Sequence, residues 1–117
     1  MVRFKRLFLS FKFAIRGLIK TFKEEQNLRI QGLAALTVIV LAVWLHLNRW
    51  EWLALILAIG IVLILEVLNS AVERVCDLLK PRLHSYVKEI KDIMSAAVFL
   101  AALLAVVVGI IVFAPYF

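Results

Sequence analysis

One cysteine, two prolines and four glycines are all the cross-linking and helix-breaking residues in this 117-residue chain. Cys76 alone cannot close an intrachain disulfide, and the chain carries no mark of an oxidising compartment. Charge is scarce too: 19% of residues are charged and 65% are hydrophobic, with a mean hydropathy of +1.02. That composition leaves too little polar surface to coat a soluble globule, so the chain reads as an all-α integral membrane protein. No repeat, low-complexity tract or linker divides it, which implies a single domain, 1–117. The N-terminal segment lacks an uninterrupted apolar stretch followed by a small-residue cleavage site, so no cleavable signal peptide is expected. The motifs GxxxxGKS/T, GxGxxG and HRD are absent, which excludes P-loop and protein-kinase phosphate sites.

The charge that is present is unevenly spread. The net charge is +6; residues 1–29 carry eight Lys/Arg against Glu24 and Glu25, while six basic and six acidic residues share the remainder. A basic segment can serve nucleic acid, but this one is interleaved with Phe and Leu and adjoins apolar spans. An anionic membrane surface is the partner it suits. Phe4, Leu7, Phe8, Phe11, Ile15, Leu18, Ile19 and Phe22 recur at helical spacing, and Lys5, Lys12, Arg16, Lys20 and Lys23 fall on a different arc. The pattern predicts an amphipathic helix over 1–29 lying in the membrane interface.

Three apolar stretches follow, at about 31–47, 50–70 and 93–113, each near the ~20 residues that span a bilayer. The polar turn His46 to Glu51 predicts an antiparallel hairpin, with Trp44, Trp50 and Trp52 as interfacial aromatics. Pro81 predicts a helix break in the second loop. That loop, Arg74 to Lys91, holds five Lys/Arg, so the positive-inside rule places it and the N-terminus in the cytoplasm and the C-terminus outside. The alanines at 96, 97, 101, 102 and 105 are expected to permit close helix packing.

Glu66 is the anomaly. It follows fourteen consecutive apolar or glycine residues, Trp52 to Leu65, and an ionisable group within a membrane span marks a functional site unless a charge partner explains it. At 100° per residue Glu66, Asn69, Ser70, Glu73 and Asp77 share one face, a polar stripe that climbs toward the cytoplasmic surface. Asn69 and Ser70 have a plainer reading as interhelical hydrogen-bonding groups, Asp77 as part of a solvated face, and Lys91 as a positive-inside anchor. Carboxylates on one face repel unless a cation lies among them, and hard oxygen ligands suit Mg2+ held together with a phosphate. Lys91 and Asp92 open the third span, and Glu25 and Arg29 flank the first. Together these groups supply what phosphoryl transfer at a membrane surface needs: a metal, a cation and a base.

The run Glu66-Val-Leu-Asn69-Ser70-Ala71-Val-Glu73, then Asp77, then Lys91-Asp92-Ile-Met-Ser95-Ala96-Ala97-Val98, resembles the signature of the prokaryotic integral-membrane diacylglycerol kinases, a family that includes undecaprenol kinases. The likeness extends to Ala14-Ile15-Arg16-Gly17-Leu18, Glu25-x-Asn27-x-Arg29 and Glu51-Trp52. It implies an interfacial helix and three transmembrane helices, assembled as a homotrimer with shared active sites in the bacterial inner membrane. Glu66 matches the catalytic base that takes the proton of a lipid hydroxyl attacking the γ-phosphate of ATP. Glu25 and Glu73 match the metal carboxylates. Asn69, Glu73, Lys91 and Asp92 match nucleotide and phosphate contacts, joined by Arg16, Gly17 and Asp77; Asn69, Ser70 and Ser95 join Glu66 on the substrate side.

Diacylglycerol and undecaprenol both present a primary hydroxyl, so one base serves either. The likeness around Arg16-Gly17, Glu51-Trp52 and Val112-Phe113-Ala114-Pro115 leans toward undecaprenol, and departures stand at Phe13, where some relatives have Tyr, and at Ser70, where Thr is common. Three spans are not expected to enclose Glu66, Asn69 and Glu73 on all sides, so another protomer must cover the stripe, with Glu25 and Arg29 of one chain completing the site of the next. A proton-coupled exporter or a non-catalytic membrane subunit would also use a membrane glutamate. The exporter does not account for Glu73, Asp77, Lys91 and Asp92 gathered at one cytoplasmic interface, and the subunit would use the polar stripe to bind a partner helix.

Overall fold

A computed structural model describes residues 3–117. Four α-helices follow one another: α1 (Phe4–Glu24), α2 (Gln26–Leu45), α3 (Arg49–Leu79) and α4 (His84–Phe113), with a short 3-10 turn at Ala114–Tyr116. Helices α2, α3 and α4 are long and apolar enough to cross a membrane. Backbone groups in hydrocarbon must be satisfied within their own segment, and a continuous helix does that.

The helices overrun the apolar stretches that announce them. α3 continues nine residues past Ser70 to Leu79, and α4 begins at His84, not near Ile93. With 31 residues α3 is about 46 Å long, against a hydrocarbon core of about 30 Å. Its polar C-terminal third can therefore stand clear of the lipid tails while still fixed by the apolar part. Helicity persists there because water and side chains satisfy a polar helix surface; hydropathy marks where lipid ends, not where the helix ends. The break at Pro81 falls as the sequence predicts, in the turn 80–83 between α3 and α4.

The basic N-terminal segment is shorter than its sequence pattern. Met1 and Val2 lie outside the described residues, and the helix ends at Glu24, so that 26–29 belong to α2. Glu25 is extended, with φ −104° and ψ 112°. The orphan carbonyls at the end of α1 find a donor across the break: Arg29 Nη1 donates to Phe22 O, at 3.2 Å, and to Lys23 O. A cation at a helix C-terminus is favoured by its dipole as well. Thr21 is the one buried residue of α1, and the Phe and Leu side chains of its apolar arc are exposed.

At the opposite end of the bundle, His46 closes α2 in the left-handed conformation, with φ 57°. Asn48 then starts α3 through a capping box: its side chain accepts from the Glu51 N–H at 2.9 Å, and Glu51 accepts from the Asn48 N–H at 3.0 Å. Tyr116 also donates its hydroxyl to Glu51, tying the chain's end to the same cap. Ala42, Leu47, Leu55 and Val112 pack beneath this corner. Asn48→Ala is expected to cost about 1 kcal/mol, and Asn48→Asp to be nearly neutral, when unfolding is followed in detergent.

Candidate active site

α3 positions the polar stripe, and burial grades it. Glu66 and Ser70 are each 1% exposed, Asn69 and Glu73 are half-buried, and Asp77 is exposed. The gradient follows from helix geometry: residues three, four, seven and eleven positions apart share a face, while the rise along the axis carries each one further from the packed middle. One chain by itself encloses Glu66 and Ser70. The expectation that another protomer must cover the whole stripe therefore narrows to its shallower members, Asn69 and Glu73.

Ser70 Oγ donates to the Glu66 carbonyl at 3.2 Å, so its hydroxyl is satisfied inside its own helix. Asn69 Nδ2 donates to Glu73 Oε1 at 3.3 Å, steadying that carboxylate from one turn below. The partner of Glu66 comes from α2: Gln31 Nε2 donates to Glu66 Oε2 at 3.4 Å. Glu66 makes no ion pair among the described residues. Glu25 stands half-buried at the break between α1 and α2.

Glu66 and Glu73 lie two turns apart on one face of α3, and Glu25 stands at the break between α1 and α2. No three His, Cys, Asp or Glu side chains converge tightly enough to cage a metal among the described residues. The donor set nonetheless fits Mg2+, which binds through one or two carboxylates plus substrate phosphates more often than in an all-protein cage.

The remaining predicted residues lie around and beyond this cluster. Lys91 Nζ pairs with Asp77 at 3.3 Å and links α4 to α3. Asp92 and Ser95 are exposed on α4, and Asp92 borders a shallow groove with Ser85, Lys88 and Glu89. On α1, Arg16 and Gly17 are exposed. The Arg16 guanidinium lies 5.6 Å from the Phe13 ring centre, so the Phe at this position gives the arginine a cation–π platform. An added Cβ at Gly17 would meet nothing within 4 Å, so no close approach inside this chain demands glycine there.

An apolar groove of about 310 Å³ runs along α2, α3 and α4, lined by small and branched side chains such as Ala34, Ala58, Val62 and Ala105. Gln31 is its polar member, and Gln31 Oε1 is buried without a partner among the described residues. Sequence reading used Gln31 only as the start of a span. Its signal was there, an amide in the first turns of an apolar helix, but nothing in the sequence says which face of α3 that amide meets. Glu24 and Arg74 were likewise passed over, and they form an ion pair between α1 and α3.

Fold and site together define a multi-pass helical membrane protein with a buried glutamate, Glu66, bonded to the one polar residue of an apolar groove. The family model for prokaryotic diacylglycerol kinase matches residues 12–113, and the chain belongs to that family. It is a lipid kinase. Among curated proteins it is 34% identical to the undecaprenol kinase of Bacillus subtilis over 94% of this chain and 89% of that one. It is 32% identical to the diacylglycerol kinase of Escherichia coli K12, over 97% and 93% of the two chains. With the diacylglycerol kinase of a Synechocystis species it shares 39% identity over 88% of this chain and 59% of the relative.

Proposed function

We propose that this chain transfers the γ-phosphoryl group of ATP to the primary hydroxyl of a membrane lipid alcohol, undecaprenol or diacylglycerol, giving undecaprenyl phosphate or phosphatidic acid. The observation that carries this reading is the setting of Glu66: 1% exposed, held by Gln31 of the apolar groove, with Glu73 two turns along the same face of α3. A lipid tail fits the groove, which brings its hydroxyl to the polar end where Gln31 and Glu66 meet. Glu66 takes the hydroxyl proton as the lipid oxygen attacks the γ-phosphorus. A new P–O bond forms, the bond to the β-phosphate oxygen breaks, and ADP leaves with those electrons.

Glu25 and Glu73 would hold Mg2+, which when bound would supply the charge that neutralises the phosphates. Asn69 keeps Glu73 oriented. Lys91, Asp77, Asp92, Arg16 and Gly17 serve the nucleotide, while Ser70 and Ser95 support the acceptor side. Lys91 can leave its half-exposed pair with Asp77 at small cost, because exposed pairs contribute little.

The active form is a homotrimer in the bacterial plasma membrane, with α1 in the cytoplasmic interface, the acidic cluster on that side, and the C-terminus outside. Exposed Phe4, Phe8 and Phe11 on α1 suit the acyl boundary. Asp92 and Ser95 face outward from their own chain, which suits a site completed between copies. Undecaprenol is the favoured acceptor, on the likeness around Arg16-Gly17, Glu51-Trp52 and Val112–Pro115. In mixed micelles with Mg2+ and labelled ATP, undecaprenol is expected to be phosphorylated faster than diacylglycerol. The reverse order would reassign the acceptor, and proton-driven efflux with neither lipid labelled would point to an exporter.

A further inference from the structure

The corner that carries Glu25 is held by two guanidinium groups. Arg29 reaches it from α2, donating to the carbonyls of Phe22 and Lys23. Arg74 reaches it from α3: Nη2 pairs with the Glu24 carboxylate, while Nη1 leans on the Ser70 carbonyl at 3.4 Å. Glu24 is the last residue of α1 and the chain neighbour of Glu25, and Arg74 is the chain neighbour of Glu73. The ion pair therefore joins the two backbones at the very residues that flank the proposed metal carboxylates.

Physics supplies a reason for such a fastening. The like charges of Glu25 and Glu73 repel one another, and α1 has Thr21 as its one buried residue, so α1 adds little apolar packing of its own to the hold that Leu28 gives the α2 side. Before a cation arrives, repulsion drives the corner off α3. An ion pair just outside the cluster opposes that motion without neutralising the carboxylates themselves.

We infer that Glu24 and Arg74 form a positioning pair that docks the α1–α2 corner against α3 and so presets the separation of Glu25 and Glu73 for metal-bound nucleotide. This rests on the reading of those two carboxylates as metal ligands. The pair touches neither lipid nor phosphate; its effect falls on the binding of metal-nucleotide, and the proton transfer at Glu66 is spared.

The side chains of Arg74 and Glu24 are 44% and 47% exposed, and pairs of that exposure couple modestly, so about a three- to fivefold effect is expected. Purified Glu24→Gln, Arg74→Gln and the double variant keep the shapes and remove the charges. Each single variant is expected to raise the KM for MgATP about three- to fivefold, with kcat within about twofold of wild type, and the double variant is expected to be no worse than either single. Titration of MnATP without lipid, followed by electron paramagnetic resonance, is expected to show the same loss of affinity. An unchanged KM and MnATP affinity, additive losses in the double variant, or a fall confined to kcat would overturn the inference. Phosphate transfer by the wild-type chain is the control: its absence removes the kinase reading itself, whereas its presence with a flat or additive cycle removes only the pair.

Discussion

Glu66→Gln is expected to lower kcat for lipid phosphorylation by about 100- to 10,000-fold, the usual contribution of a positioned general base, while MgATP binding stays within a few fold of wild type. Glutamine keeps the volume and can still meet Gln31, so neither a cavity nor a collapsed groove accompanies the change. It cannot accept the hydroxyl proton. Glu66→Asp keeps the charge and withdraws it by one methylene, and since misplacement of about an ångström is costly in catalysis, turnover is again expected to fall far more than ATP affinity. The two variants are separated by single-turnover phosphate transfer and by nucleotide titration on the same preparations. Equal losses in turnover and binding would move Glu66 from the base to the metal or nucleotide contacts.

The second large effect concerns which residues must come from the same chain. Glu66 is buried within one chain, whereas Glu25 is half-buried at the α1–α2 break and Asp92 is exposed on α4. If Glu25 of one chain completes the site of the next, mixed trimers of Glu66→Gln and Glu25→Gln subunits are expected to recover part of the activity, and a site confined to one chain predicts none. Mixtures of Glu66→Gln and Asp92→Asn subunits are expected to recover activity: in an equal, random mixture about a quarter of the junctions pair an intact cluster with an intact Asp92 from the neighbour. Recovery in the first mixture would show that Glu25 acts across subunits. No recovery in the second would confine the whole site to one chain.

Much of the architecture was legible because it depends on properties local to the sequence. Three apolar stretches gave three long helices, Pro81 marked the turn between α3 and α4, and the 3.6-residue period put Glu66, Asn69, Ser70 and Glu73 on one face. The family likeness rests on these same residues. Helix ends were less legible, since α3 and α4 extend through polar sequence where hydropathy falls silent. The end of α1 at Glu24 was hidden for a related reason: the amphipathic pattern weakens there, but what turns the chain is Arg29 reaching back to two carbonyls. The contacts between Gln31 and Glu66, 35 residues apart, and between Glu24 and Arg74, 50 apart, were beyond periodicity altogether. A helical pattern tells which residues share a face; it does not tell which neighbouring helix turns an amide or a guanidinium toward that face.

Under the proposed mechanism Glu66, buried and bonded to Gln31 of the apolar groove, takes the proton of a lipid hydroxyl. The most direct measurement is a single-turnover reaction of the purified protein in mixed micelles with Mg2+, γ-labelled ATP and a lipid alcohol, run in parallel on wild type and Glu66→Gln. The account predicts label on the lipid hydroxyl at stoichiometric yield with wild type, and bound but untransferred ATP with the variant. Label appearing on the lipid at equal rates in both proteins would contradict it.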